Sequence, residues 1–374
     1  MRNVFLLLCM ITLFSSCLSG VSGKKANNQT PSTKDDFKVI GYWPGSNKKI
    51  DTGSIKQLDQ IIYSFLHLKG TKLQVSPEDA VHLEYLVGLK KINPELEVLI
   101  SLGGWGGCET CSDVFSTESG RMDFAKSVKN IMEKYDAQGI DLDWEYPAIR
   151  GYEGHAFKPE DRENFTLLIQ DLRNVLGPEA VISFAAGSFK DYLEKSVDWA
   201  EVMPLVDHVN LMTYDMFNGG SSTTGHHTSL YPNEYQKNSA HFTINYLDSL
   251  GVPKEKMVLG AAFYARVWEE VNDSMNGLYQ VGKFKESILY KDIEAYKKNH
   301  SGFEYFYDSV AQAPYLYNAS EKLFATYDDS SSITSKTKYA LDHNLGGIMF
   351  WQLSGDNTDG LLDIIDEVII EHNK

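Results

Sequence analysis

The sequence predicts an α/β fold, a (β/α)8 TIM barrel with a small α+β insertion between its seventh and eighth strands. Three observations predict it. Eight short apolar runs recur between Val39 and Trp351, amphipathic helical patterns lie between them, and one interval is too long for a single helix. An open doubly wound sheet is the competing fold, but no Gly-x-Gly-x-x-Gly follows the first run.

The runs are Val39–Trp43, Ile61–Leu66, Val98–Leu102, Ile140–Trp144, Val181–Ala185, His208–Met212, Val258–Phe263 and Gly347–Trp351. Helical patterns occupy Ser76–Lys91, Arg121–Tyr135, Asp161–Leu176, Tyr235–Leu250 and Ile333–His343. Ser76-Pro77-Glu78-Asp79 is a helix start, with a cap residue, proline at the first helical position and acids at the positive end of the dipole. Gly177-Pro178 is a helix stop. The glycines from Gly103 to Gly107 lack a following Lys-Ser/Thr. They read as a loop needing close backbone approach, not as a phosphate cradle. The long interval, about 267–324, holds Gly277-Leu278-Tyr279-Gln280-Val281, a helix near Tyr290–Lys298 and the run Phe303–Tyr307. Long barrel insertions sit in the loops of the catalytic face, so this one is expected to wall a cleft.

The fourth run carries the chemistry: Gly139-Ile140-Asp141-Leu142-Asp143-Trp144-Glu145-Tyr146-Pro147. Period-two alternation puts Asp141, Asp143 and Glu145 on one face and Ile140, Leu142 and Trp144 on the other. Successive carboxyls are then about 7 Å apart. Neighbouring carboxylates resist simultaneous ionisation, so at least one is expected to keep its proton near neutrality. A protonated carboxyl is what cleavage of an acetal or glycosidic bond requires. The alternative is an acidic strand end facing water. The apolar opposite face favours a packed strand with Glu145 at its C-terminal mouth.

The N-terminus reads as targeting sequence. Arg2 precedes an apolar run from Val4 to Phe14, too short to span a membrane. Residues 1–23 are therefore a signal peptide and 24–36 a polar linker. Ser15-Ser16-Cys17 resembles a bacterial lipobox, with Phe14 departing from its usual aliphatic residue; ordinary cleavage near Val21-Ser22-Gly23 is the alternative. Beyond that segment only Cys108 and Cys111 remain. Such a pair suits redox chemistry, half a zinc site or a local disulfide, and an exported chain favours the disulfide.

The net charge of -16 argues against a nucleic-acid partner, because phosphate binding needs a cationic surplus. No metal or cofactor is expected, since the adjacent His226 and His227 do not converge easily on one ion. A monomer is expected, exported, secreted or held at an outer membrane through a lipid on Cys17.

Four segments resemble signatures of glycoside hydrolase family 18, the chitinases. They are Ser101-Leu102-Gly103-Gly104, Gly139 to Pro147, Met212-Thr213-Tyr214-Asp215 and Phe350-Trp351, in family order on the third, fourth, sixth and eighth runs. Val39-Ile40-Gly41-Tyr42-Trp43, Tyr63-Ser64-Phe65 and Phe263-Tyr264-Ala265-Arg266 resemble the first, second and seventh strands, so the similarity covers 37–374. Two positions depart from the pattern. Gln138 stands where the family has an outer Asp, with Asp136 nearby but out of register, and Ala262 stands where many members have Pro.

The resemblance implies roles for the matching residues. Glu145 would protonate the leaving glycosidic oxygen. Asp143 would orient the substrate acetamido group, with Asp141 tuning it from one layer deeper. Tyr214 would hold the acetamido carbonyl and Asp215 would help polarise it. That carbonyl would be the nucleophile, the family being an exception to two-carboxylate retention. Ser101 would bond the buried acids, Met212 would pack beneath the sugar, and Trp351 would floor the subsite. Tyr42, Phe65, Gly104, Trp105, Tyr264 and Arg266 complete the substrate-binding set. The implied activity is retaining hydrolysis of β-1,4 links in chitin or chito-oligosaccharides. An endo-β-N-acetylglucosaminidase acting on N-glycan cores is an alternative whose members generally lack the insertion. A non-catalytic chitin-binding lectin is a second, and such lectins typically lose the acid that Glu145 supplies.

Overall fold

Alternation within each strand decides which side chains a sheet buries and against what. The computed structural model describes residues 37–46 and 48–374; the proposed signal peptide, Cys17 and the polar linker lie outside the described residues. Its strands are β1 (Lys38–Trp43), β2 (Gln60–Lys69), β3 (Lys72–Gln74), β4 (Glu97–Gly103), β5 (Gly139–Asp143), β6 (Val181–Gly187) and β7 (His208–Met212), followed by β8 (Met257–Ala262), β9 (Tyr264–Glu269), β10 (Lys283–Leu289), β11 (Glu304–Asp308), β12 (Ala313–Asn318), β13 (Leu323–Thr326) and β14 (Gly347–Trp351). Eight of them, β1, β2, β4 to β8 and β14, are parallel neighbours in that order, and β1 pairs with both β2 and β14. The sheet therefore closes into the expected barrel, with β3 as an antiparallel hairpin partner of β2.

The two faces of the barrel strands differ in character. Outward residues such as Ile140, Leu142 and Trp144 on and after β5, and Val209 and Leu211 on β7, join one apolar core shared with the surrounding helices. Burial of each such side chain contributes about 1.5–3 kcal/mol. Inward, Ile40, Tyr42, Ile62, Leu99, Val258 and Met349 form a smaller plug. Above it the interior turns polar, and that change positions the site.

Helix ends follow local chemistry. Ser76 and Asp79 exchange side-chain and backbone bonds at the start of helix Pro77–Gly88. The helix expected from Tyr235 begins only at Ala240, because the Ser239 hydroxyl caps it by accepting the Phe242 N–H. A last helix, Leu361–His372, was not anticipated; Gln57 Nε2 donates to its Asp363 at 2.6 Å.

The insertion is a five-stranded antiparallel sheet ordered β10-β9-β13-β12-β11. Ala265, Val267, Leu316 and Ala325 on one face pack under helix Ile293–Asn299. Trp268, Tyr315, Tyr317 and Phe324 on the other meet Leu278 and Phe217. Its strands run from Tyr264 to Thr326, wider than the expected 267–324. The Gly277–Val281 run makes no strand there, only a bridge between Val281 and Thr223.

Cys108 and Cys111 are joined by a disulfide at the entry to helix Cys111–Phe115, both sulfurs lying in the main apolar core. The enclosed loop is so short that chain entropy assigns the bond about 2 kcal/mol at 25 °C. Replacing both cysteines by Ala is expected to lower the melting temperature by about 5 °C or less. A thermal melt checks this, and stoichiometric zinc bound by the reduced pair would overturn the disulfide reading.

Candidate active site

Asp141 lies deepest. Ser101 Oγ at 2.9 Å and Tyr42 OH at 3.1 Å donate to one of its oxygens, Ser183 Oγ at 2.7 Å and Asn210 Nδ2 at 3.2 Å to the other. Asn210 also donates to Tyr42 OH at 3.0 Å. The parallel register sets Ser101 and Ser183 beside Asp141 on β4 and β6. Burial raises the carboxyl above its usual range, and the four hydrogen bonds act in the opposite direction.

Asp143 follows on the same face. Its backbone carbonyl accepts the Gly104 N–H at 2.9 Å, while its Oδ1 is buried without a hydrogen-bond partner among the described residues. Burial, then the charges of Glu145 and Asp141, hold it well above the ordinary carboxylate range. Glu145 lies just past the end of β5, partly covered. Burial pushes it up to about 7, a hydrogen bond with Tyr146 pulls the other way, and Asp215 adds to the rise. A protonated acid near neutrality is therefore present at the mouth.

The chain after β7 brings the second half. Among the described residues the hydrogen-bond partner of the Tyr214 hydroxyl is Met349 Sδ at 3.8 Å, a weak acceptor. Asp215 takes a left-handed backbone (φ 56) and receives Arg266 in a fork, Nε at 2.8 Å and Nη2 at 2.6 Å. Burial alone would raise Asp215. His227 and Arg266 instead hold it well below the ordinary carboxylate range.

Aromatic residues complete the mouth. Trp351 at the end of β14 stacks on Phe65, centroids 5.5 Å apart, and tilts against Tyr42 at 6.0 Å. Gly104 has φ +78, and a Cβ there would stand 2.4 Å from the Phe65 ring, so glycine is what allows the ring its place. Trp105 is 62% exposed beside Tyr146 and Tyr152. Met212 packs with Tyr214 and Trp351 on the interior plug. Tyr264 meets Tyr214 edge-on at 6.1 Å, and the Arg266 guanidinium lies 5.1 Å from the Tyr264 ring.

Two expected positions need correction. Tyr264 and Arg266 were read as barrel residues, but they belong to β9 of the inserted sheet, because only Phe263 separates β8 from β9. Arg266 also does more than line a wall, since it fixes Asp215. The departures from the family pattern find local explanations. Gln138 Oε1 accepts the Val98 N–H at 2.9 Å and its Nε2 reaches the Asp136 carbonyl, at the strand end away from the mouth. The Ala262 N–H donates to Asp328 at 3.0 Å, a bond proline cannot make.

Sequence reasoning missed Ser183, Asn210, Tyr146 and the surroundings of the two histidines. Polar residues at inward positions of apolar strands were the available signal for the first two. His226 Nε2 meets Asp308 at 3.1 Å, and His227 Nδ1 lies 3.6 Å from Asp215.

Residues 38–356 match the family profile described as Glycosyl hydrolases family 18. Chitinase A1 of Niallia circulans is 36% identical over 307 residues, covering 75% of this chain and 44% of that protein. Chitinase B of Serratia marcescens is 28% identical over 407 residues, covering 89% and 80%. The solved structure of a family 18 N-acetylglucosaminidase from Paenibacillus barengoltzii superposes with a TM-score of 0.82 at 35% identity, covering 89% of this chain and 99% of that one. The chain thus spans less than half of Chitinase A1 and nearly all of the Paenibacillus enzyme. With its profile match running from β1 to beyond β14, the chain belongs to glycosyl hydrolase family 18.

Proposed function

We propose that the protein is an exported chitinase that hydrolyses β-1,4 links between N-acetylglucosamine units with retention. The observation that carries this reading is a buried carboxyl at the barrel mouth beside two polar groups with open valences. Burial pushes Glu145 up to about 7, and among the described residues Asp143 has a buried oxygen without a donor and the Tyr214 hydroxyl meets only the Met349 sulfur. An acetamido group fits that pair: its N–H suits Asp143 and its carbonyl suits Tyr214.

In the first step Glu145 gives its proton to the leaving oxygen as the acetamido carbonyl oxygen bonds to the anomeric carbon, producing an oxazolinium ion. Asp143 accepts the amide N–H on its free oxygen and so turns the acetamido carbonyl towards the anomeric carbon. Asp141 is fixed beneath Asp143 by its four donors. In the second step ionised Glu145 takes a proton from water as that water opens the ring from the opposite side. The two displacements leave the β-anomer.

The test is incubation of the purified protein with N-acetylglucosamine oligomers and, separately, an N-glycoprotein, with product analysis. Oligomer cleavage with no glycan release supports the reading; glycan release alone would make it an endo-β-N-acetylglucosaminidase. Binding without cleavage would make it a lectin. A second reading, release of single sugars from chain ends, is favoured by the Paenibacillus N-acetylglucosaminidase, which this chain matches almost end to end. Monomer as the first product selects it.

The proton on Glu145 also predicts pH behaviour. The acid acts only while protonated, so kcat/KM is expected to fall tenfold per unit as pH rises above about 7. Stability has the same sign. The folded chain holds this proton between the ordinary value of 4.5 and about 7, where the unfolded chain releases it, so its stabilising contribution is complete below 4.5 and lost as pH rises through 7. Glu145→Gln should therefore flatten the decline in melting temperature between pH 5 and pH 8. An unaltered decline would place the shifted proton elsewhere.

Export and attachment through Cys17 are part of the proposal, as is a monomeric state. Among the described residues no helix is long and apolar enough to cross a membrane. Membrane partition abolished by Cys17→Ser would support a lipid anchor; soluble protein beginning near Lys24 would support ordinary cleavage.

A further inference from the structure

His226, His227 and Thr228 form a fully buried strap threaded between the barrel mouth and the inserted sheet. Each links a different pair of elements. His226 reaches Asp308 at the end of β11. Thr228 Oγ1 is bonded to Asp328, beyond β13, at 3.0 Å and receives Lys336 Nζ at 2.5 Å. His227 lies between them, its N–H on Thr326 Oγ1 at 3.2 Å and its carbonyl on the Met216 N–H at 3.0 Å. That last bond sets His227 opposite Asp215.

The His227 ring is in an unusual position for a buried imidazole. Neither ring nitrogen has a hydrogen-bond partner among the described residues, although Nδ1 lies only 3.6 Å from Asp215 Oδ1. A buried polar group left in this way costs about 1–3 kcal/mol, so a site that keeps one calls for an explanation. The Tyr264 ring, 5.1 Å away, closes the other side. A shift of a few tenths of an ångström in Asp215 would complete the bond. Asp215 meanwhile is gripped by the Arg266 fork, and Tyr264 also engages it.

We propose that His227 is a positioning residue that acts through Asp215: its Nδ1–H closes a hydrogen bond to Asp215 Oδ1 in the reacting complex and holds that carboxylate in place against the pull of Arg266. This rests on the reaction proposed above, in which Asp215 polarises the acetamido group. The charged and titratable groups that face the ring are Asp215 after β7, Tyr264 and Arg266 on β9, Asp328 beyond β13, and Lys336, which is paired with Asp328 at 2.6 Å. Asp215 and Asp328 favour the protonated ring; burial and Arg266 oppose it.

The experiment is a mutant cycle on the full chain with an N-acetylglucosamine oligomer. His227→Leu is expected to lower kcat about tenfold with KM changed less than about threefold, within the range of couplings between contacting groups. His227→Asn, which keeps a donor near the Nδ1 position, should retain at least about half of kcat. In an Asp215→Asn background, His227→Leu should cost less than about twofold more. Equal losses in both backgrounds, or wild-type turnover by His227→Leu, would overturn the proposal. If His227→Leu does not fold, His227→Gln replaces it, since its amide reaches the Nε2 position instead, and the same loss is expected. Proton NMR reads the contact without any turnover. The His227 titration midpoint should fall in Asp215→Asn, and an unmoved midpoint overturns the inference even if the wild type cleaves no oligomer. Absence of wild-type cleavage alone would count against the proposed function instead.

Discussion

Glu145→Gln is expected to lower kcat on an N-acetylglucosamine oligomer by about 10²–10⁴-fold, the range assigned to a positioned general acid. Oligosaccharide affinity should stay within about threefold, since the amide keeps the shape of the carboxyl and its contacts with bound sugar. What it loses is the proton. Burial at the barrel mouth lifts this carboxyl to about 7, so near neutrality it still carries the proton that a leaving alkoxide needs. The neighbouring carboxyls are poorly placed to substitute: Asp141 is saturated by four donors, and Asp215 is held ionised by Arg266. Single-turnover kinetics with calorimetric binding separates the two quantities. A variant that keeps a tenth of its turnover would remove Glu145 from the acid role.

How much of this was readable beforehand depends on the range of the forces involved. The eight barrel strands were legible because period-two alternation is local: Ile140 and Leu142 outward, Asp141 and Asp143 inward, is a pattern any window over β5 contains. The same alternation held the clue to Ser183 and Asn210, inward polar residues on β6 and β7, though nothing in the sequence says that both point at Asp141. The boundary between β8 and β9 was hidden. Ala262, Phe263 and Tyr264 read as one apolar run, yet β8 pairs in the barrel and β9 pairs with β10 and β13. Pairing between distant segments leaves no mark in either segment alone. The grip of Arg266 on Asp215, the Lys336–Asp328 pair and the contact of His227 with Asp215 are of the same kind, joining residues from separate stretches of chain.

The largest expected effect concerns the substrate. Oligomers whose sugar on the non-reducing side of the scissile bond lacks its N-acetyl group should not be cleaved at a measurable rate. Two-carboxylate retention needs a second carboxyl about 5–5.5 Å from the acid and free to attack the anomeric carbon. The carboxyls near Glu145 have other commitments. Asp141 is buried beneath four donors, and Asp215 is tied in a fork to Arg266. Among the described residues Asp143 keeps a buried oxygen without a donor, and an amide N–H laid on that oxygen occupies it. The attacking oxygen must then come from the substrate. Fully deacetylated chitosan, which keeps the linkage but carries an amine at that carbon, should bind and remain intact. Cellulose oligomers, with a hydroxyl there, should survive too. A stable thiazoline mimic of the cyclised intermediate should inhibit at concentrations far below the substrate KM, as a ligand resembling the transition state does. Product anomers read by NMR within the first turnovers complete the test. Release of the α-anomer, or ready hydrolysis of the deacetylated polymer, would eliminate participation by the acetamido group even if chitin itself were cut.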